Sequence, residues 1–292
     1  MEAQPGSSTS STAATRAAVL AEALPFIREF WGTTVVVKLG GNAMEDPELR
    51  DLLAQDVVLM RLVGMNPVLV HGGGPQISSL MRRLGKEPLF VDGLRVTDAE
   101  TVDIVRMALV GKVNRELVGS LNRHGPYAVG LSGEDAGLFL VRQRDPALGF
   151  VGDVERVNAT ILERLLGQEL IPVIASVGVD ASGQAYNVNA DAAASAIAQA
   201  LSARKLVYVT NVAGLHGDLS DPATLLSEVD LSTLEVMIGS GSLTGGMLPK
   251  ARSCLEAMSG GVERAHLLDG RVPHALLLEF FTREGIGTMV VP

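Results

Sequence analysis

Twice within its first 85 residues the chain repeats one pattern: an apolar, mostly β-branched run, a cluster of glycines, then a helical stretch. Thr34-Val-Val-Val-Lys-Leu39 leads through Gly40-Gly41 to a helix expected over Pro47–Gly64, and Pro67-Val-Leu-Val-His71 leads through Gly72-Gly-Gly74 to one over Pro75–Leu84. Such runs lack the alternation of a half-exposed strand, so they read as strands covered on both faces. Parallel strands need crossover connections, and the strand–helix repeat therefore predicts a parallel α/β sheet. Further strands are expected at Tyr127–Leu131, Ile171–Val177, Leu206–Val209, Ala265–Leu268 and Thr288–Val291. Helices are expected over Thr97–Arg123, Asn158–Leu166, Asp191–Leu201, Leu231–Ile238, Leu248–Ser259 and His274–Thr282. No period of about 20 to 50 residues is visible, which excludes a solenoid.

The 292 residues suit one large α/β domain or two lobes. The Gly-, Asp- and Ser-rich stretch Gly178–Asn189 is the best boundary, giving lobes at 32–178 and 179–292. Ahead of the first strand, residues 16–31 carry apolar side chains at helical spacing, interrupted by Pro25, and read as an amphipathic helix. Residues 1–15 lack an apolar signal core and read as a disordered leader.

With 33 acidic and 24 basic side chains, the net charge of −9 argues against a nucleic-acid or anionic-membrane surface. A single cysteine leaves no disulfide framework or thiolate metal cluster and fits the reducing cytoplasm. No run approaches the roughly 18 apolar residues of a membrane span. Only Lys38, Lys86, Lys112, Lys205 and Lys250 of the 24 basic residues are lysines, so the position of each lysine carries weight.

Five segments carry chemistry. In Val37-Lys38-Leu-Gly40-Gly41-Asn42 a strand-end ammonium stands beside two residues without side chains, where an anion can approach the backbone closely. In His71-Gly72-Gly73-Gly74-Pro75 a glycine turn opens a helix, so that backbone donors and the helix dipole can meet a charged group. His71 itself reads as a hydrogen-bonded strand-end residue rather than a base. In Gly93-Leu-Arg95-Val-Thr97-Asp98, Thr97 or Asp98 can cap the next helix, and Arg95 can grip a carboxylate or lie on the surface. In Tyr186-Asn187-Val188-Asn189-Ala190-Asp191 two alternating asparagines share a face, and Asp191 reads as a helix N-cap or as a site carboxylate. In Thr244-Gly245-Gly246-Met247-Leu-Pro249-Lys250 a lysine sits in a helix's first turn, where the dipole disfavours a cation and an anionic ligand would explain it. Two lysines at distant glycine-rich junctions, with a carboxylate able to orient both, suit phosphoryl transfer, in which catalysis is mostly positioning and charge neutralisation. There is no P-loop, no strand-associated G-x-G-x-x-G, no H-E-x-x-H and no Cys/His zinc spacing.

In order and in residues, Val37–Ala43, Val70–Pro75, Gly93–Thr97, Asn187–Asp191 and Gly245–Lys250 resemble the amino-acid kinase family, and within it the branch acting on N-acetyl-L-glutamate, of the arginine-sensitive type. The resemblance runs from Trp31 onward. It implies an open αβα sandwich with a mainly parallel central sheet, a substrate lobe, an ATP lobe and an extra N-terminal helix. It implies phosphorylation of the side-chain carboxylate of N-acetyl-L-glutamate by ATP, with Mg2+ held mainly through the phosphates rather than by protein ligands. Carried over by motif, Lys38 and Lys250 would stabilise the transition state and Asp191 would orient them. Gly73, Gly74, Arg95 and Asn187 would bind the acceptor. Gly40, Gly41 and Asn211 would face the nucleotide, Asn211 standing where many relatives carry Asp. His266, Glu279 and Gly285 resemble positions that bind L-arginine as an inhibitor, in enzymes that assemble as homohexamers through the N-terminal helix. The alternatives are a sister enzyme acting on glutamate, aspartate, carbamate or UMP, and a non-catalytic sensor of the same fold.

Overall fold

The computed structural model describes residues 7–40, 42–217, 221–243, 245–283 and 285–292. Its strands are β1 (Thr34–Leu39), β2 (Asn66–His71), β3 (Phe90–Val91), β4 (Leu94–Arg95), β5 (Ala128–Ser132), β6 (Phe139–Gln143), β7 (Val151–Val157), β8 (Ile171–Ala175), β9 (Val177–Val179), β10 (Ala185–Val188), β11 (Lys205–Thr210), β12 (Glu228–Asp230), β13 (Arg264–Asp269) and β14 (Thr288–Val291). The α-helices are α1 (Ser7–Glu22), α2 (Leu24–Phe30), α3 (Asn42–Glu45), α4 (Pro47–Leu62), α5 (Gly74–Arg83), α6 (Ala99–Arg106), α7 (Asn114–Asn122), α8 (Thr160–Gly167), α9 (Ala190–Ala200), α10 (Leu231–Gly239), α11 (Met247–Ser259) and α12 (Ala275–Phe281).

Eight strands form one sheet in the order β12-β14-β13-β11-β1-β2-β8-β5, parallel except where β13 meets β14. Both faces are covered. On one face Val35, Val37 and Leu39 of β1 join Leu69 and Val173 under α4, α6 and α7; on the other Val36 joins Val68, Val70 and Tyr208 under α9 and α11. Side chains alternate along a strand, so Lys38 shares the face of Val36 and looks toward α9. The chain runs outward from β1 through β2 on one side and returns to β11 on the other. Such a reversal opens a crevice at the carboxyl ends of the strands, where ligands of α/β sheets bind.

The expected strands all form, most of them a residue or two longer or shorter. Four others join into a small closed sheet, β10-β7-β6-β9, beside the main one. The stretch 178–189, read as a lobe boundary, contains the end of β9 and all of β10. The single helix expected over Thr97–Arg123 is continuous but includes a π-helical stretch, Met107–Val113, between α6 and α7. The leader expected to be disordered over 1–15 is helical from Ser7, because no glycine or proline interrupts the chain between there and Leu24; residues 1–6 lie outside the described residues. The helix expected over 16–31 is two helices, α1 and α2, broken at Ala23 just ahead of Pro25. Among the described residues no helix is long and apolar enough to cross a membrane.

The C-terminal helix α12 is tied to α4 by a buried carboxylate. Asp56, 1% exposed, lies with Oδ1 2.6 Å from His274 Nδ1 and receives the backbone N–H groups of Leu276 and Leu277. Burial pushes the Asp56 carboxyl up to about 6 from an ordinary 3.8, against the opposing pull of His274. The folded state therefore holds a proton here between about pH 4 and pH 6 that the unfolded chain has released. This group's stabilisation is complete below about pH 4 and is lost as pH rises through 6. Between pH 4 and 7 the unfolding free energy of the wild type should fall relative to that of Asp56→Asn by no more than about 3 kcal/mol. Parallel urea titrations of the two proteins check this, and equal pH dependence would contradict it.

Candidate active site

The crevice beside β1 and β2 holds a cleft of about 280 Å³ lined by Lys38, Gly40, Gly72–Pro75, Arg95, Asn187 and Asp191. Its centre is electrostatic. Lys38 Nζ stands 2.8 Å from Asp191 Oδ1 and Lys250 Nζ 3.2 Å from Asp191 Oδ2, so one carboxylate bridges two ammonium groups. Asp191 is only 6% exposed and Lys38 only 8%. Burial pushes the Asp191 carboxyl up, and the charges of Lys38 and Lys250 outweigh it, leaving the group below the usual carboxylate range and ionised.

Local chemistry sets these positions. Asn189 is the N-cap of α9: its side chain accepts from Asp191 N at 2.8 Å and Ala192 N at 3.1 Å. Asp191 is thus not the cap that it could have been. It lies in the helix's first turn, where the dipole favours an anion and the side chain is free to reach the lysines. Ser253, three residues after Lys250, donates from Oγ to the Asp191 backbone carbonyl at 2.8 Å and ties α11 to α9. Lys250 also donates to Gly246 O at 3.3 Å. Sequence reasoning placed Asn189 on a shared face with Asn187 but missed its capping role, although the Asn-x-Asp spacing is a signal for the cap, and it missed Ser253.

Across the cleft, Gly73 and Gly74 open α5 without any side-chain cap, so the first amides of that helix have no partner of that kind. A Cβ at Gly73 would come 2.6 Å from Leu109 Cδ2, whereas one at Gly74 would meet nothing within 4 Å. Arg95, at the end of β4, is 6% exposed. It donates to Gly74 O at 2.9 Å and Ser78 Oγ at 2.8 Å, and its guanidinium lies 4.7 Å from the Phe90 ring centroid. Among the described residues no carboxylate pairs with it, so this buried cation has charge to spare for an anionic ligand. Asp98, not Thr97, caps α6, accepting from Thr101 N at 2.8 Å. Asn187 on β10 donates to Thr97 Oγ1 at 3.4 Å and faces the same cleft.

The lining suits phosphate oxygens. A Cβ at Gly40 would sit 2.8 Å from Lys38 Nζ and fill the space beside the ammonium. Among the described residues no group of three or more His, Cys, Asp or Glu side chains could hold a metal ion. Gly41 lies outside the described residues. Asn211 follows β11 at the carboxyl edge of the sheet and does not line the cleft. His71 is fully buried, and burial pushes its ring down to about 4, so it stays neutral.

A second cavity, of about 570 Å³, opens at the opposite edge of the sheet, where β11 and β13 begin, and is lined among others by Phe26, Lys205, Glu279, Gly285 and Met289. Here His266 Nδ1 lies 2.7 Å and Lys205 Nζ 3.5 Å from Glu279 Oε1, and Ile286 N donates to Glu279 Oε2 at 3.2 Å. Gly285 has φ +57, and a Cβ there would press to 3.1 Å from Glu279 Oε2. Burial lowers the His266 ring, which leaves it neutral beside an ionised Glu279. Sequence reasoning assigned nothing to Lys205, whose ammonium lies 4.8 and 4.9 Å from the Phe30 and Phe280 ring centroids. Its rarity among the basic residues was the available signal.

The profile of the amino acid kinase family matches residues 33–269, which include every element of the cleft. The chain belongs to the amino acid kinase family. Within the family it is 55% identical to the acetylglutamate kinase of Symbiobacterium thermophilum over 94% of this chain and 97% of that one. It is 51% identical to the acetylglutamate kinase of Saccharopolyspora erythraea over 100% and 98%. Among solved structures it resembles N-acetylglutamate synthase from Neisseria gonorrhoeae complexed with coenzyme A and N-acetyl-glutamate, with a TM-score of 0.84 and 27% identity over 94% of this chain; it spans 63% of that synthase. Carbamate kinase from Giardia lamblia bound to AMP-PNP shares the family fold at a TM-score of 0.68 and 17% identity, covering 89% of this chain and 98% of that one.

Proposed function

We propose that the chain transfers the γ-phosphoryl group of ATP to the side-chain carboxylate of N-acetyl-L-glutamate, making N-acetyl-L-glutamyl 5-phosphate for arginine biosynthesis. Relatives that are 50–55% identical over 94% or more of the chain carry the name acetylglutamate kinase, which favours this substrate over glutamate, aspartate, carbamate or UMP. The Lys38–Asp191–Lys250 bridge at the head of the cleft is the observation that supports turnover rather than sensing alone. A carboxylate oxygen of the acceptor attacks the γ-phosphorus, the bond to the β,γ-bridging oxygen breaks, and ADP leaves with that electron pair. No general base is needed, since the attacking carboxylate is already ionised at neutral pH.

The obstacle is repulsion between two anions. Lys38 and Lys250 neutralise charge on the moving phosphoryl group, each worth on the order of 4 kcal/mol at about 4 Å and an effective dielectric near 20. Asp191 holds both ammonium groups in place. Gly73 and Gly74 receive the acceptor through their amides, and Arg95 with Asn187 holds its non-reacting end. Gly40 and Gly41 admit the transferred phosphate, with Asn211 toward the nucleotide. Magnesium, carried on the nucleotide's phosphates, supplies further charge neutralisation when bound.

The second cavity fits L-arginine as a feedback inhibitor, with Glu279 pairing the guanidinium beside His266 and Gly285. The helix α1 leaves Val19 and Leu20 exposed, and Leu24 follows them at the start of α2, a face suited to a neighbouring subunit in a cytoplasmic homohexamer.

Purified protein should release ADP with N-acetyl-L-glutamate and give a product that hydroxylamine traps as a hydroxamate. Strong turnover of free glutamate, with none of the acetylated compound, would sink the assignment. Lys38→Ala and Lys250→Ala should each lower kcat by roughly 10²- to 10⁴-fold, while Arg95→Ala should mainly raise KM for the acceptor; near-wild-type kcat in a lysine variant removes that residue from the chemistry. Millimolar arginine should weaken substrate binding through a coupling of about 1–3 kcal/mol. Glu279→Ala should abolish that coupling and keep the oligomer, and removal of residues 1–30 should give dimers with blunted inhibition. A full-length dimer indifferent to arginine refutes the regulatory reading.

A further inference from the structure

Behind the glycine turn lies a buried polar relay that the reaction as described leaves unused. Asn114, fully buried, stands with Nδ2 2.8 Å from Val173 O, 3.3 Å from Leu131 O and 3.1 Å from His71 Nε2. Backbone carbonyls only accept, so the amide must turn its NH2 group toward β8 and β5. Its Oδ1 then faces Arg115, which donates to it. Nδ2 has two protons to share among these three acceptors, and His71 Nε2, facing this donor group, suits the bare nitrogen of a neutral ring whose proton is on Nδ1. Nδ1 lies 2.9 Å from Gly72 O and donates to it. In a trans peptide the carbonyl and the following N–H point in opposite directions, so pinning Gly72 O toward the buried ring turns Gly73 N–H away from it.

The π-helical stretch sets this relay in phase. It ends with Asn114 N donating to Leu109 O, a bond reaching back five residues that slips one extra residue into the helix. On the same stretch Leu109 and Val113 pack against Gly73, their Cδ2 and Cγ2 at 2.6 and 3.3 Å from where a Cβ there would lie, and Leu109 lines the cleft. On the far side β5 carries glycine at 130, where any Cβ would collide with Asn114 Oδ1 and the Arg115 guanidinium.

We infer that Asn114 and His71 are positioning residues for the acceptor: the π-helical stretch and the carbonyls of β8 and β5 fix the Asn114 amide, which fixes the His71 tautomer, which aims the Gly73 amide into the cleft. The inference rests on the reading of Gly73 and Gly74 as acceptor-binding amides. The decisive measurement needs no substrate. In long-range 15N–1H spectra of 15N-histidine-labelled protein, with His71 assigned by its loss in His71→Gln, the ring should show the Nδ1–H tautomer; an Nε2–H ring overturns the relay. Asn114→Asp cannot donate to Nε2 and should draw a proton there, changing that signature. Both Asn114→Asp and Asn114→Leu should raise KM for N-acetyl-L-glutamate about tenfold, leaving KM for ATP within about twofold of wild type. Variants whose loss falls on kcat and both KM values alike, or that bind the acceptor normally, overturn the positioning role. A wild type that shows the Nδ1–H ring but ignores N-acetyl-L-glutamate sinks the substrate reading instead.

Discussion

The site depends on one carboxylate held between two ammonium groups. Asp191 would be costly to bury alone, and Lys38 and Lys250 would repel each other without it; together the three form a compensated cluster. Much of the fold can be read as the means of bringing them together. Strand parity turns Lys38 to the face covered by α9. Asn189 caps α9 so that Asp191 falls in its first turn, and Gly245-Gly246 opens α11 so that Lys250 arrives from the other side. Ser253 then ties the two helices directly. Charges from three separate elements thus meet at the carboxyl ends of the strands, where the sheet's direction of travel reverses.

The main sheet could be read from the chain because each of its long strands is an apolar run between glycines or turns, and such runs have few other places to go. The small sheet of β6, β7, β9 and β10 could not. Arg142 and Gln143 in β6, and Glu155 and Arg156 in β7, break any apolar pattern, and those strands hold only because their neighbours supply the pairing. Asp191 shows the same limit at the scale of one residue. Its local sequence offers a cap, and only contacts with lysines 153 residues before and 59 after turn it into a site carboxylate. Nothing in the composition of Met107–Val113 marks a change of helix type. That change is visible only through what packs on either side.

The two cavities lie at opposite edges of one sheet, joined by β11, which begins with Lys205 in the second cavity and ends with Thr210 at the edge that holds the first, paired along its length with β1. Each cavity is built around an acid with cationic or imidazole partners, the buried Asp191 in one and the partly buried Glu279 in the other. The difference is polarity. At Asp191 two cations surround one acid and leave net positive charge, a setting suited to an anionic ligand. At Glu279 the neutral His266 leaves the acid facing one buried lysine, a setting that can accept a further cation.

The internal acid has a consequence for the end of a turnover rather than its beginning. A pair of lysines that met only phosphates would hold ADP strongly, because departure would strand two partly buried positive charges. Asp191 gives those charges a partner that never leaves, so both lysines stay paired when the nucleotide departs. Under the proposed roles, the carboxylate that orders the lysines for attack also weakens their hold on what the attack leaves behind, and an enzyme so built can cycle without being trapped by its own product.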